Sequence, residues 1–206
     1  MCSKRDMRRL GRPDVGRQLC DGGWRRGILA AATVAAAALA GCRPPAPNSA
    51  PAAAVAVRLV DHEELLAAVA AARGRIVVLD CWSTSCPPCV REFPGLVRLA
   101  AARPDQVTCM SLSLDYDGSG RPEDVLPAVQ RFLTDVGAAA VQNMLSREEA
   151  DAMYRKLDLA SVPAVYVWKA DGTLAVRFDD EQATRSLGRP FTYDDVEATV
   201  GELLRP

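Results

Sequence analysis

At 206 residues, with 49% apolar side chains, the chain is long enough for one folded domain with a real core plus an appendage. The formal net charge of −1 hides an asymmetry: eight Lys/Arg and three Asp fall in residues 1–42, which leaves 17 basic and 23 acidic side chains, a net −6, on the remainder. A folded part this acidic excludes the basic stripe that a nucleic-acid face requires, so no nucleic-acid partner is expected.

The N-terminal excess belongs to a targeting pattern. Arg25-Arg26 precede Ile28 to Ala40, an alanine-rich apolar run of 13 residues ending in Leu39-Ala40-Gly41-Cys42. A basic flank, a short apolar run and small residues make a secretory signal over residues 1–41. The run falls short of the ~20 residues that a membrane-spanning helix needs. Leu-Ala-Gly-Cys resembles the lipobox of bacterial lipoproteins, which implies a lipid on Cys42 and places Cys2 and Cys20 in a removed segment. Residues 42–57, rich in Pro and Ala, read as a tether, and residues 58–206 as the globular domain. Anchor and tether place that domain outside the cytoplasm, on the periplasmic side of a bacterial membrane, where disulfides persist.

Asp61-x-x-Glu64 is a helix-start signal ahead of Leu65, Leu66 and Val69, and Gly74 ends that helix. Ile76 to Leu79 is a continuous aliphatic run, as in a strand buried on both faces. Pro87 and Pro88 suit the first turn of a helix reaching about Ala102, with Pro94 inside it. Val107 to Leu114 predicts a second buried strand and Asp115 to Gly120 a loop. A helix over 123–136, a weak strand over 139–145 and a helix over 147–157 follow. Ala164 to Trp168, Asp171-Gly172 and Thr173 to Phe178 spell a hairpin, and Thr192-x-x-Asp195 opens a last helix to about Leu204. The Asp179-Asp180-Glu181 run reads as a solvated loop, and His62 as an exposed first-turn residue. Strands alternating with helices and closed by a hairpin indicate an α/β domain with a mixed central sheet.

Cys81, Cys86 and Cys89 lie within nine residues, at the end of the first buried strand. A zinc site needs four ligands, normally two spaced pairs, and the domain adds only Cys109 and His62, so no metal is expected. A Cys86–Cys89 staple closes too small a loop to stabilise the fold appreciably. Two cysteines at this spacing, between a buried strand and a helix start, suit a disulfide that opens and closes, with no further cofactor. Cys86 at the helix N-terminus is the attacking sulfur, because the dipole and free N–H groups stabilise its thiolate. Cys89, one turn inside, is the resolving sulfur. Pro87 and Pro88 remove two N–H groups, so Cys89 is the first donor available, and the Cys86 pKa is expected to fall only moderately.

The stretch Asp80 to Cys89, read as D-x-W-x-x-x-C-P-P-C after a strand, together with Pro94 and with Ser161-Val162-Pro163 before a hairpin strand, resembles the thioredoxin-like TlpA/ResA group of membrane-tethered thiol-disulfide oxidoreductases. The resemblance covers about Arg58 to Pro206. It implies a thioredoxin fold with a helix-strand insertion between about Tyr116 and Leu145. It implies a cis bond before Pro163, with Val162 and Pro163 docking a partner near Trp82, Pro87 and Pro88. It also implies that Asp80 is the buried acid that accepts the Cys89 proton through water, and that the partners are protein disulfides of exported proteins, with apocytochrome c one class, and a membrane electron donor. Reduction is the expected direction.

Three positions depart from that pattern. Ser85 stands where an aromatic usually precedes the first cysteine, Cys81 also replaces an aromatic, and the basic residue near the buried acid has no counterpart on Val107 to Leu114. Cys81 and Cys109 read as small core hydrophobes. The rivals are a peroxiredoxin-like peroxidase, for which Ser83 lies three residues before Cys86 but Leu79 replaces the motif's proline, and a lipid-anchored scaffold module with incidental thiols.

Overall fold

The computed structural model describes residues 55–205. The secretory segment, Cys42 and most of the tether lie outside the described residues. Within them, β1 (Val57–Val60), α1 (His62–Ala71), β2 (Ile76–Trp82), α2 (Pro87–Ala102), β3 (Val107–Ser113), α3 (Pro122–Asp135), β4 (Gln142–Ser146), α4 (Ala150–Leu157), β5 (Ala164–Trp168), β6 (Leu174–Asp179), α5 (Asp180–Leu187) and α6 (Tyr193–Leu203) follow in order. One sheet joins the strands as β1-β4-β3-β2-β5-β6. β1, β4, β3 and β2 run parallel, and β5 and β6 are antiparallel additions beside β2. The α3-β4 pair inserts a strand between β1 and β3.

β2 and β3 are buried at every position because helices cover both faces. Alternation sends Val78 and Trp82 of β2 toward α2, α3 and α6, and Val77, Leu79 and Cys81 toward α1 and α4. Asp80 shares the parity of Val78 and Trp82, so its carboxyl enters the apolar layer beneath α2 and α6. Asp61 and Glu64 form the expected capping box of α1, and Thr192 with Asp195 that of α6.

Three expectations are corrected. The tether stops short of residue 57: Val55 is buried, its N–H donates to Thr134 Oγ1 and its carbonyl accepts from Gln130 Nε2, before β1 pairs with β4. The Asp179-Asp180-Glu181 run is a helix start. Asp179 is the N-cap of α5 and accepts from the Gln182 N–H at 2.8 Å, and Asp180 and Glu181 sit in the first turn, where the dipole favours negative charge. Arg177 Nε pairs with Asp179 at 2.8 Å, which offsets the burial of that carboxylate. His62 is half-buried, with its N–H donating to Glu148 Oε1.

Candidate active site

Cys86 is the N-cap residue of α2, with extended backbone, and Pro87 and Pro88 occupy the first two helical positions. Its Sγ accepts the Cys89 N–H at 3.2 Å, which is the donor expected once both prolines have removed theirs. The first turn of α2 holds no acidic side chain to oppose charge on that sulfur. Cys86 and Cys89 are joined in a disulfide. Cys86 is partly exposed and Cys89 is 2% exposed, so an incoming sulfur meets Cys86 first.

The Val162–Pro163 bond is cis. The Val162 carbonyl oxygen lies 3.6 Å from Cys86 Sγ. Val162 is half-buried and Pro163 buried. Pro87, directly after Cys86, is exposed and Pro88 half-buried. Trp82 does not join them. It is fully buried, with its ring centroid 4.9 Å from that of Phe93 and 4.8 Å from that of Phe132, because its place on β2 turns it under α2. Its expected docking role is therefore corrected to a packing role.

Asp80 is buried, and burial pushes its pKa up to about 7 although one hydrogen bond opposes the shift. That bond comes from Tyr193 at the start of α6, whose hydroxyl donates to Asp80 Oδ2 at 2.5 Å, while Oδ1 is buried without a partner. Tyr193 was not among the residues singled out in the sequence. It comes from α6, 113 residues along the chain from Asp80.

A second acid was also missed. Asp115, just past β3, accepts from the Ser83 hydroxyl at 3.0 Å, the Thr84 N–H at 2.9 Å, the Thr84 hydroxyl and the Ser113 hydroxyl at 2.6 Å. Ser83 Oγ in turn lies 2.8 Å from Ser85 Oγ, and the Cys86 N–H donates to the Ser83 carbonyl at 3.1 Å. The polar segment before Cys86 is thus tied to the end of the neighbouring strand. Ser85 is exposed and leaves the sulfur open on that side.

Cys81 and Cys109 are free, buried and directed into opposite layers of the core. Desolvation, with the Asp80 charge adding to it, pushes the Cys81 thiol well above its ordinary range and the Cys109 thiol up to about 12. Neither is available as a thiolate, and the two do not form a second disulfide.

No protein-family model and no curated protein matches this chain. Among solved structures it is similar to a thiol-disulfide isomerase from Corynebacterium glutamicum, with 17% identity, 76% of this chain and 98% of that one covered, and a TM-score of 0.52. The fold is that of thioredoxin. A secreted disulfide oxidoreductase of Mycobacterium tuberculosis also matches, at 22% identity over 65% of this chain and 85% of that one, with a TM-score of 0.49. So does a DsbF homologue from Corynebacterium diphtheriae, at 21% identity over 65% and 75%, with a TM-score of 0.49.

Proposed function

We propose that the chain is an extracytoplasmic thiol-disulfide oxidoreductase, lipid-anchored through Cys42, that reduces disulfides of exported proteins and is itself re-reduced by a membrane electron donor. The observation that carries this reading is the Cys86 sulfur, at the start of a helix whose first turn holds no acidic side chain and 3.6 Å from the Val162 carbonyl. A partner's extended segment can pair with the Val162 backbone and so present its disulfide to that sulfur.

In the reductive direction the Cys86 thiolate attacks one sulfur of the partner disulfide and expels the other as a thiolate. Cys89 then gives up its proton, with Asp80 the acceptor, and attacks Cys86 Sγ. The second partner thiolate leaves, two electrons have passed to the partner, and the Cys86–Cys89 bond is closed. Pro87 and Pro88 limit the donors available to the Cys86 thiolate, which keeps it basic enough to be a good nucleophile. That supports reduction over oxidation as the net direction.

The test is turnover of insulin reduction by dithiothreitol. Wild-type protein is expected to accelerate it, and Cys86→Ser to abolish the acceleration. Cys89→Ser is expected to accumulate mixed disulfides with exported proteins. Equal rates for wild type and Cys86→Ser would leave a binding module with incidental thiols as the reading.

A further inference from the structure

Tyr193 lies 113 residues from Asp80 in the chain, yet three contacts hold it in the core. The α6 capping box fixes its backbone, Glu92 Oε2 on α2 accepts its N–H at 3.3 Å, and its ring passes α2 at Gly95. A Cβ at Gly95 would stand 2.2 Å from Cβ and Cγ of Tyr193, so the absence of a side chain there is what lets the ring reach the sheet. Packing alone would be served by phenylalanine. The hydroxyl instead donates to one oxygen of a buried carboxyl and leaves the other, Oδ1, buried and unpartnered.

We propose that Tyr193 is a positioning residue of the redox centre, holding Oδ2 of Asp80 so that Oδ1 is the oxygen that takes up and returns the Cys89 proton. This role rests on the oxidoreductase reading above. The Cys89 thiol passes its proton to the Asp80 carboxylate, the sulfur attacks Cys86 Sγ, one disulfide forms as the mixed disulfide breaks, and the partner leaves as a thiolate. No further oxidant or reductant enters that step. The groups around Asp80 are Tyr193 from α6, Cys109 from β3 and Cys81 beside it on β2, and Cys89 of α2 is buried in the same core layer. Glu92 of α2 is engaged by the start of α6, and β5 places Val165 opposite. The Tyr193 hydrogen bond favours the charged carboxylate, so its removal moves Asp80 further above about 7.

The experiment titrates the infrared carbonyl band of protonated Asp80, assigned by its loss in Asp80→Asn, in the full chain with and without Tyr193→Phe. The pH profile of exchange between the reduced protein and oxidised glutathione is measured alongside. The carboxyl midpoint is expected to rise by about one pH unit in Tyr193→Phe, and the profile to move with it. Fluorotyrosine at position 193, a stronger donor of the same shape, should move both downward, which keeps the test open even if the Phe variant does not fold. An unmoved carboxyl midpoint, or a moved midpoint with an unmoved exchange profile, overturns the role while leaving the oxidoreductase reading intact. Absence of exchange by wild type at every pH overturns that reading, and this role with it.

Discussion

Asp80 and Asp115 sit at the same end of neighbouring parallel strands, one inside β2 and one just past β3, and the protein treats them oppositely. Asp80 is buried among apolar side chains with a single donor on one oxygen. Asp115 is partly exposed and receives Ser83, Thr84 and Ser113 on its two oxygens. An ionised carboxylate is acceptor-only, so the two sites differ in what they offer its oxygens: one donor at Asp80 and several at Asp115. The contrast separates two tasks around one disulfide. An acid raised by burial lies in the core layer that also buries Cys89, and a hydrogen-bonded clamp fixes the loop before Cys86.

The largest effect should come from removing the titration of Asp80. Its pKa is about 7 in the folded chain against an ordinary 3.8, so between those values the folded state holds a proton that the unfolded state has released. Stability is therefore lost as pH rises through that window. Between about pH 4 and pH 8 the oxidised wild type is expected to lose roughly 4 kcal/mol relative to Asp80→Asn, in which this site no longer titrates. Urea unfolding at both pH values measures it, and taking the difference between pH values cancels the constant cost of the buried amide. Parallel pH dependence in the two proteins would erase the distinction between the acids.

Gly95→Ala attacks the same site through Tyr193, the donor to Asp80. The new methyl meets the root of the Tyr193 side chain at 2.2 Å, where rotation about the side-chain bonds cannot relieve the overlap. Overpacking of this kind costs about 3 kcal/mol. Thermal unfolding of the oxidised protein should show the loss. The Asp80 carbonyl band should titrate at higher pH, as in Tyr193→Phe, because α6 is pushed away from the sheet. A destabilised protein with an unchanged Asp80 midpoint would show that the close approach serves packing alone.

What could be read in the sequence follows the range of the interaction. The Cys86–Cys89 pair, the proline start of α2 and the capping boxes of α1 and α6 are local patterns within a few residues, and they stand where expected. β1 was not legible, since four residues of mixed polarity become a strand only by pairing with β4, where Val57 faces Asn143. Tyr193 and Asp115 were missed for the same reason. Each is an ordinary residue on its own element and acquires its role from side chains that tertiary folding brings to it. α5 is different, because Asp179-x-x-Gln182 already had the form of a helix start, and the run of acids was read only for its charge. Trp82 shows the opposite failure: its place in a motif pointed to the surface, while its parity on β2 pointed to the core.

The smallest effect tests the clamp. Asp115→Asn keeps one acceptor oxygen, and the hydroxyls of Ser83, Thr84 and Ser113 can turn to accept from the new amide, so the loss is mostly the charge-assisted part of these bonds. That amounts to about 1 kcal/mol and a fall of about 3 °C in Tm. The sharper readout is local. The Thr84 N–H donates to both carboxylate oxygens, and its hydrogen exchange should quicken about fivefold, while amides of β2 beside Asp80 stay unchanged. Equal acceleration in both places would mean that the two acids stabilise one cooperative unit. Acceleration confined to Thr84 and its neighbours makes the loop before Cys86 a separately held element, distinct from the β2 segment that carries Asp80.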